Sequence, residues 1–267
     1  MISKLDELRE LREKLNISVN GLENIKENKS AILVSNHSCL MDIFYVPCVI
    51  DKDIISLISS RLMYKNDTLR KNVVNKYLNG FPIEAHGGIV YSQMCLEYSA
   101  KLLKDGHILS IFPEGAYIED DGNIYKGRTG AARILFSSIG DEFKPSIIPV
   151  AIKIDGKIEE LDNYFPTDNE VKINILEPVN YEEIYYNYIN TDSRKEKNLC
   201  LHQVTETAMR RIANSIGKNY IDEYIELFPK NNVIYQDGET IKTEPAQNVE
   251  HVYRYKRELD SIIKNYS

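Results

Sequence analysis

The 267-residue sequence lacks the features that mark several classes of protein. It contains no run of about 18 apolar residues, so we expect no segment that spans a bilayer. The first residues are charged rather than apolar, which argues against a secretory signal peptide. Cys39, Cys48, Cys95 and Cys200 have no Cys-x-x-Cys spacing, so the simplest interpretation is reduced thiols in a cytoplasmic protein. The net charge of −7 disfavours a general nucleic-acid-binding protein.

The apolar pattern predicts an α/β protein. Short apolar runs bounded by polar residues are typical of buried strands in a parallel sheet. Such runs lie at residues 31–35, 54–58, 108–112, 147–152 and 171–176. Amphipathic stretches between them predict helices. We therefore expect a mixed, mainly parallel sheet flanked by helices in one domain at 1–228, with a polar loop and a peripheral helix at 229–267.

Helical patterns occur towards both ends of the chain. Residues 3–16 place Leu5, Leu8, Leu11 and Leu15 on one stripe of a helix. The charged face of this helix is mixed in sign, whereas a membrane-surface helix is normally richer in Lys and Arg. We therefore favour a helix packed on its own domain over one that lies on a membrane. From residue 180 the pattern predicts helices at 181–189, 194–217 and 219–227.

The junction between the first strand and the next helix carries a candidate site. His37 lies at the carboxyl end of this strand, where open α/β sheets place their sites. Asp42 can meet His37 only if His37 lies in the turn before the helix and Asp42 in its first turn. There Asp42 would fix the imidazole tautomer, and the other ring nitrogen could act as a base. The alternative is a structural Asn-His turn, with Asp42 near the helix dipole.

A second group of candidates follows the strand at 108–112. Pro113 ends the ladder of hydrogen bonds, and Gly115 permits a tight turn. Glu114 stands between them, at the carboxyl end of the strand. If the strands are parallel, Glu114 emerges at the same edge of the sheet as His37.

Two basic segments indicate anionic ligands. Arg128 and Arg133 flank a helix start rich in Gly and Thr, which suits an anion-binding helix N-terminus. Residues 61–76 carry five basic residues, Arg61 among them, against the single acid Asp67. Such a segment could meet phosphate groups, an anionic membrane or an acidic carrier protein. The alternative is a solvated helix face.

Four sequence blocks occur in order along the chain. They are Asn36-His37-x4-Asp42, Gly80-Phe81-Pro82-Ile83-Glu84, Phe112-Pro113-Glu114-Gly115 and Ile148-Pro149-Val150. The set resembles the glycerolipid acyltransferase family, which includes the bacterial 1-acyl-glycerol-3-phosphate (lysophosphatidic acid) acyltransferases. The His-x4-Asp and Phe-Pro-Glu-Gly blocks are its strongest signatures, and they lie about 70 residues apart here. The Gly-x-x-Gly-Ala-Ala-Arg segment at 127–133 resembles the family as well, and the resemblance covers roughly residues 17–180.

The resemblance implies a glycerophosphate acyltransferase-like fold and an acyltransferase activity. It implies that His37 is the general base towards an acceptor hydroxyl and that Asp42 orients it. Phe112, Pro113, Glu114 and Gly115 would shape the acceptor pocket, and local backbone N–H groups would stabilise the oxyanion. The donor would be acyl-CoA or acyl carrier protein, without a metal or redox cofactor. Lipid acceptors imply peripheral contact with the inner face of the cell membrane, through the 61–76 segment or the first helix.

The sequence departs from the family pattern at two positions. The second block usually ends in arginine, and here that residue is Ala85. The third block usually continues with arginine two residues after its glycine, and here that residue is Tyr117. Those arginines are associated with the phosphate of the acceptor, which suits the fork of a guanidinium. The candidates to replace them are Arg61, Arg128 and Arg133; the alternative is an acceptor without phosphate.

Three other interpretations of the His37 segment are chemically conceivable. Ser38 or Cys39 could form an acyl-enzyme, but neither lies in a Gly-x-Ser-x-Gly elbow. A metal site of His37, Asp42 and Glu114 lacks a second histidine at ligand spacing. A lipid-binding module without activity would not need the His37–Asp42 pair. Acyl transfer is therefore favoured.

Overall fold

The computed structural model describes residues 3–26, 30–60, 63, 75–83, 89–116, 121–156, 169–225, 232–237, 240–245 and 249–266. The helices in these ranges are α1 (Lys4–Lys14), α2 (Glu23–Lys26), α3 (Asp42–Val49), α4 (Asn75–Tyr77), α5 (Ile89–Lys104), α6 (Gly130–Ser138), α7 (Glu182–Ile189), α8 (Arg194–Ile216) and α9 (Val249–Ile263), followed by a 3₁₀ turn (Lys264–Tyr266). The strands are β1 (Ile17–Asn20), β2 (Ala31–Ser35), β3 (Ile54–Ser59), β4 (Asn79–Ile83), β5 (Ile108–Ile111), β6 (Asn123–Tyr125), β7 (Ser146–Asp155), β8 (Glu170–Ile175), β9 (Asn219–Ile221), β10 (Asn232–Asp237) and β11 (Thr240–Pro245).

A seven-stranded sheet in the order β1-β8-β7-β2-β5-β3-β4 forms the centre of the fold. Its neighbouring strands are parallel except for β7 and β8, which are antiparallel. The predicted mixed, mainly parallel sheet flanked by helices is therefore confirmed. β2 pairs with β5 on one side and with β7 on the other, so its carboxyl end lies in the middle of one sheet edge.

The sheet separates two apolar cores. Along β2, Ile32 and Val34 face the core that includes α5, α6, α8 and α9. Ala31 and Leu33 face the other core, which includes α1 and α3. This alternation follows from the period of two along a strand. Since helices cover both faces, every residue of β2 is buried, and the polar residues after it are held at the end of a rigid strand.

The helix predicted at the N-terminus packs on its own domain. Leu8 and Leu11 of α1 are buried against α3, and Leu15 is buried just after the helix ends. The apolar stripe of α1 therefore belongs to the core, as the favoured interpretation predicted. The helices predicted at 181–189 and 194–217 are also confirmed, as α7 and α8.

The predicted helix at 219–227 is wrong, because β9 lies there instead. α8 stops at Gly217, which adopts the left-handed conformation at φ +69°. The N–H of Lys218 bonds back to the carbonyl of Ala213, which closes the helix end. The chain then pairs in parallel with β6, with Tyr125 opposite Ile221.

The C-terminal region also differs from the prediction. Where a polar loop was expected at 229–248, β10 and β11 form an antiparallel hairpin with Asp237 opposite Thr240. The polar composition of residues 232–245 obscured these two strands.

α9 is not a peripheral helix. Its apolar positions pack against α5, because Tyr255 and Leu259 are fully buried in the same core. The hydroxyl of Tyr255 lies 3.1 Å from Sγ of Cys95 in α5. After the helix, the hydroxyl of Tyr266 donates to the carbonyl of Gly80 in β4. The boundary predicted after residue 228 falls outside the described residues and stays a prediction.

The described ranges also bear on membrane-spanning helices and on disulfides. No helix in them combines the length and the apolar content needed to cross a bilayer. All four cysteines are described, and none of them forms a disulfide.

Candidate functional site

The turn between β2 and α3 is fixed to the sheet by Asn36. Its side-chain amide donates to the carbonyl of Ile152 at 2.9 Å and accepts from the N–H of Ile152 at 2.8 Å. Ile152 lies in β7, so the amide continues the pairing of β2 with β7 for one more residue. Asn36 is fully buried, and this pair of bonds holds the next residue, His37, at the sheet edge.

Asp42 organises the same turn from the first turn of α3. Its Oδ2 accepts from the N–H of Ser38 at 2.5 Å and from the N–H of Cys39 at 2.9 Å. The same oxygen lies 3.3 Å from Nδ1 of His37. Asp42 is fully buried. The predicted contact between His37 and Asp42 is therefore present, and the same carboxylate also binds the backbone of the turn.

Glu114 reaches the turn from the carboxyl end of β5. Its Oε2 accepts from the N–H of His37 at 2.7 Å, and its Oε1 accepts from the N–H of Tyr125 at 2.8 Å. The carboxyl group is buried. Burial raises the pKa of Glu114 to about 7, although the two N–H donors act in the opposite direction. Glu114 therefore joins the β2–α3 turn to β6 as a clamp between two backbone segments.

Phe112 fixes the face of the imidazole. The rings of Phe112 and His37 are stacked, with their centroids 4.4 Å apart and an angle of 30° between their planes. The side chain of His37 is 11% exposed, so the ring is mostly enclosed yet still reached by solvent. Orientation by Asp42 on one side and by an aromatic ring on another restricts both the tautomer and the rotamer of His37.

Arg128 lies against the turn that contains Glu114. Its N–H donates to the carbonyl of Pro113 at 2.7 Å. A Cβ placed on Gly115, which adopts φ +77°, would lie 3.1 Å from Nε of Arg128. The guanidinium therefore covers Gly115, and its Nη2 donates to the carbonyl of Ile225 at 3.1 Å. This places a permanent positive charge beside the Phe112–Gly115 turn.

Of the other two predicted cations, Arg133 is described, and it is not brought to this turn. Arg133 is exposed on α6, where its guanidinium contacts the side chains of Thr129 and Asn198. Arg61, Ala85 and Tyr117 lie outside the described residues, as does most of the 61–76 segment. The structure therefore groups His37, Asp42, Phe112, Glu114, Gly115 and Arg128.

The two neighbouring nucleophile candidates are not set up for covalent catalysis. Cys39 is buried, and burial together with the charge of Asp42 raises the pKa of its thiol well above the ordinary value. Ser38 is also buried, and its hydroxyl accepts from the side chain of Asn36 at 3.3 Å. Among the described residues, no group of three or more His, Cys, Asp or Glu side chains is arranged to hold a metal ion.

Sequence reasoning missed Tyr125, Tyr224 and Ile225. Tyr125 and Ile225 contribute backbone groups, so their side-chain identity gives no signal. Ile225 lies 97 residues from Arg128, and no local pattern predicts a contact at that separation.

The chain resembles known proteins both in sequence and in structure. A sequence profile of the family described as Acyltransferase matches residues 16–153. No curated protein sequence is significantly similar to the chain. Among solved structures, the chain is similar to the 1-acyl-sn-glycerophosphate (LPA) acyltransferase PlsC from Thermotoga maritima, with 21% identity and a TM-score of 0.49. That similarity covers 78% of this chain and 79% of the other.

Proposed function

Because the chain belongs to the acyltransferase family, we propose that it transfers a fatty acyl group from a thioester to a hydroxyl of a lysophospholipid or glycerol phosphate. His37 is the general base of this proposal. The observation that carries it is the contact between Nδ1 of His37 and the buried carboxylate of Asp42, at the carboxyl end of the central strand. An imidazole held by a carboxylate in this way is suited to proton transfer near neutral pH.

In the proposed step, Nε2 of His37 accepts the proton of the acceptor hydroxyl while the hydroxyl oxygen attacks the thioester carbonyl. A C–O bond forms, and the C–S bond of the tetrahedral intermediate then breaks. The departing thiolate takes the proton from the imidazolium, so the base is regenerated. Asp42 keeps the proton on Nδ1 and stabilises the imidazolium that forms.

Glu114 acts in this proposal as a positioning residue. It was expected to line the acceptor pocket, but its two carboxylate oxygens accept from the backbone N–H groups of His37 and Tyr125. A buried carboxyl bound in this way holds the base in place. Phe112, Pro113 and Gly115 are then the members of the turn that contact substrate.

The oxyanion requires a donor other than the backbone at 37–39. The N–H groups of His37, Ser38 and Cys39 donate to the carboxylates of Glu114 and Asp42. These three N–H groups are therefore already used, and other backbone N–H groups near the turn would have to stabilise the tetrahedral intermediate.

Arg128 is the proposed contact for the phosphate of the acceptor. A guanidinium has five N–H donors in a fixed fork, so a bond to one carbonyl does not exhaust its capacity to bind phosphate. Its place over Gly115 lies close in sequence to position 117, where the family carries an arginine. One observation favours the second candidate, an alcohol or amine acceptor without phosphate. The neighbouring cation, Lys126, is already paired with Asp222 at 2.7 Å and with Glu206 at 3.3 Å, so its charge is compensated within the protein rather than by a phosphate.

The test is acceptor-dependent release of thiol from palmitoyl-CoA and from an acylated carrier protein. Lysophosphatidic acid, glycerol 3-phosphate and monoacylglycerol would serve as acceptors. His37→Ala should reduce turnover about 10²–10⁴-fold, the usual contribution of general base catalysis. His107→Ala is the matched control, because His107 precedes β5 at the opposite edge of the sheet.

The acceptor panel separates the candidates. Release with the two phosphorylated acceptors supports the proposal, and release only with monoacylglycerol supports the second candidate. If no acceptor gives release that depends on His37, the acyl-transfer proposal is wrong and a lipid-binding module is favoured instead.

A further inference from the structure

A segment after α8 crosses the loop that carries Lys126 and Arg128. We name residues 219–225 the strap. Its first part, β9, pairs in parallel with β6, and the N–H of Asn219 donates to the carbonyl of Gly122 at 3.2 Å. Further along, the N–H of Lys126 donates to the carbonyl of Glu223 at 3.0 Å. The strap therefore follows the loop at 122–128 almost residue by residue.

The ring of Tyr224 lies close to both cations of this loop. Nζ of Lys126 lies 5.5 Å from the ring centroid, and Cζ of Arg128 lies 5.3 Å from it. Both distances are within the range of cation–π attraction. The two cations differ in their other partners, because Lys126 is paired with Asp222 and Glu206.

The guanidinium of Arg128 has three neighbours. Gly115 lies beneath Nε, the carbonyl of Ile225 accepts from Nη2, and the ring of Tyr224 lies beside Cζ. Two of these three contacts come from the strap. Without them the long side chain of Arg128 could adopt other rotamers, and ordering it on ligand binding would cost affinity.

We propose that Tyr224 is a specificity-determining positioning residue, whose ring holds the guanidinium of Arg128 over the Phe112–Gly115 turn to receive the phosphate of the acceptor. This inference rests on the proposed acyl-transfer function. It assigns selectivity for phosphorylated acceptors to the strap and leaves the proton transfer to His37. The two tasks therefore lie on separate elements of the fold.

The inference predicts a split between KM and kcat. Tyr224→Leu removes the aromatic face while keeping an apolar side chain. It should raise KM for lysophosphatidic acid about 3- to 10-fold, the scale of one partly exposed cation–π contact. The kcat should stay within about 2-fold of wild type, and so should both kinetic constants for monoacylglycerol. The reason is that the ring of Tyr224 acts on the guanidinium of Arg128 and not on the reacting atoms. Tyr224→Phe keeps the ring and should restore the wild-type KM.

Two further variants separate positioning from damage to the fold. Tyr186→Leu is the matched control, since Tyr186 is an exposed tyrosine on α7. Arg128→Lys keeps the charge but loses the planar fork, so it should raise KM as Tyr224→Leu does. The double variant Tyr224→Leu/Arg128→Lys should be no worse than Arg128→Lys alone, because the ring acts by positioning a guanidinium that lysine lacks.

Binding measured without turnover distinguishes this inference from the proposed function. Calorimetric titration of glycerol 3-phosphate into His37→Ala protein, with and without Tyr224→Leu, reports phosphate binding alone. Weaker binding in the Tyr224→Leu protein supports the inference even if the wild type releases no thiol. Equal binding, no binding to either protein, or equal loss with Tyr224→Phe and Tyr224→Leu would overturn it.

Discussion

Replacing Glu114 by glutamine tests whether a buried carboxyl holds the proposed base in place. Glutamine has the same shape as glutamate but offers one acceptor oxygen and one NH₂ donor. Glu114 faces two donors, the N–H of His37 at 2.7 Å and the N–H of Tyr125 at 2.8 Å. In the variant, one of these buried N–H groups must face the NH₂. An unsatisfied buried donor costs about 1–3 kcal/mol, so Glu114→Gln should lower the free energy of unfolding by about that amount.

The pH dependence of this loss follows from the raised pKa of Glu114. Its pKa is about 7 in the folded protein, against 4.5 as the ordinary value, so between these limits the folded state binds more protons than the unfolded state. The contribution of Glu114 to stability therefore falls as pH rises from 4.5 to 7, and this contribution is absent from the glutamine variant. A shift of this size corresponds to a change on the order of 3 kcal/mol. The variant should thus be most destabilised, relative to wild type, at the acidic end of the range.

The assay is urea unfolding of both proteins at several pH values, together with thiol release. Glu97→Gln is the control, because Glu97 is exposed on α5 and its replacement should change stability by less than about 0.5 kcal/mol. Loss of the clamp should also lower turnover by up to about 10²-fold, since a small displacement of a catalytic group has that effect. A difference in stability that is the same at pH 5 and pH 8, with unchanged turnover, would refute the clamp.

Three other substitutions test the site and the packing around it. Asp42→Asn should lower turnover about 10²–10⁴-fold in the thiol-release assay, because an amide cannot stabilise the imidazolium; unchanged turnover would contradict the proposed role of Asp42. Gly127→Ala should cost about 1–3 kcal/mol in urea unfolding, since its Cβ would lie 2.7 Å from Thr205 and 2.9 Å from Pro113. Gly130→Ala, whose Cβ would have its nearest contact at 3.8 Å, should be neutral or stabilising, and equal effects of the two changes would refute the packing argument.

The strands of the fold were the more predictable part of it. Continuous apolar runs such as 31–35 identified β2, because a strand covered on both faces needs no polar alternation. The antiparallel placement of β8 was not predictable, since pairing direction depends on contacts between distant segments. The strand β9 was predicted as a helix because Asn219–Ile221 is extended through its pairing with β6, and no local pattern predicts a contact at that separation.

The central pair of the site could be predicted, and its support could not. Helical geometry alone showed that His37 and Asp42 meet only across a strand–helix turn, which is where they lie. Parallel pairing likewise predicted that Glu114 shares the edge of His37. The partners of Glu114 are backbone N–H groups, which every residue except proline carries, so the sequence offers no signal for them.

The residues that position His37 and the proposed phosphate contact lie on different parts of the fold, which affects how acceptor specificity can change. Asn36, Asp42 and Glu114 are buried, and each bonds to backbone groups. Because buried polar groups are costly unless they are satisfied, any change to these three would disturb the position of His37 itself. The cation beside them is different, since Arg128 is held by a loop and by the strap. A cation supplied from outside the sheet can move in sequence without disturbing the proposed base. If Arg128 has its proposed role, a chain can keep the His-x4-Asp and Phe-Pro-Glu-Gly blocks while Ala85 and Tyr117 stand where the family resemblance leads us to expect arginine.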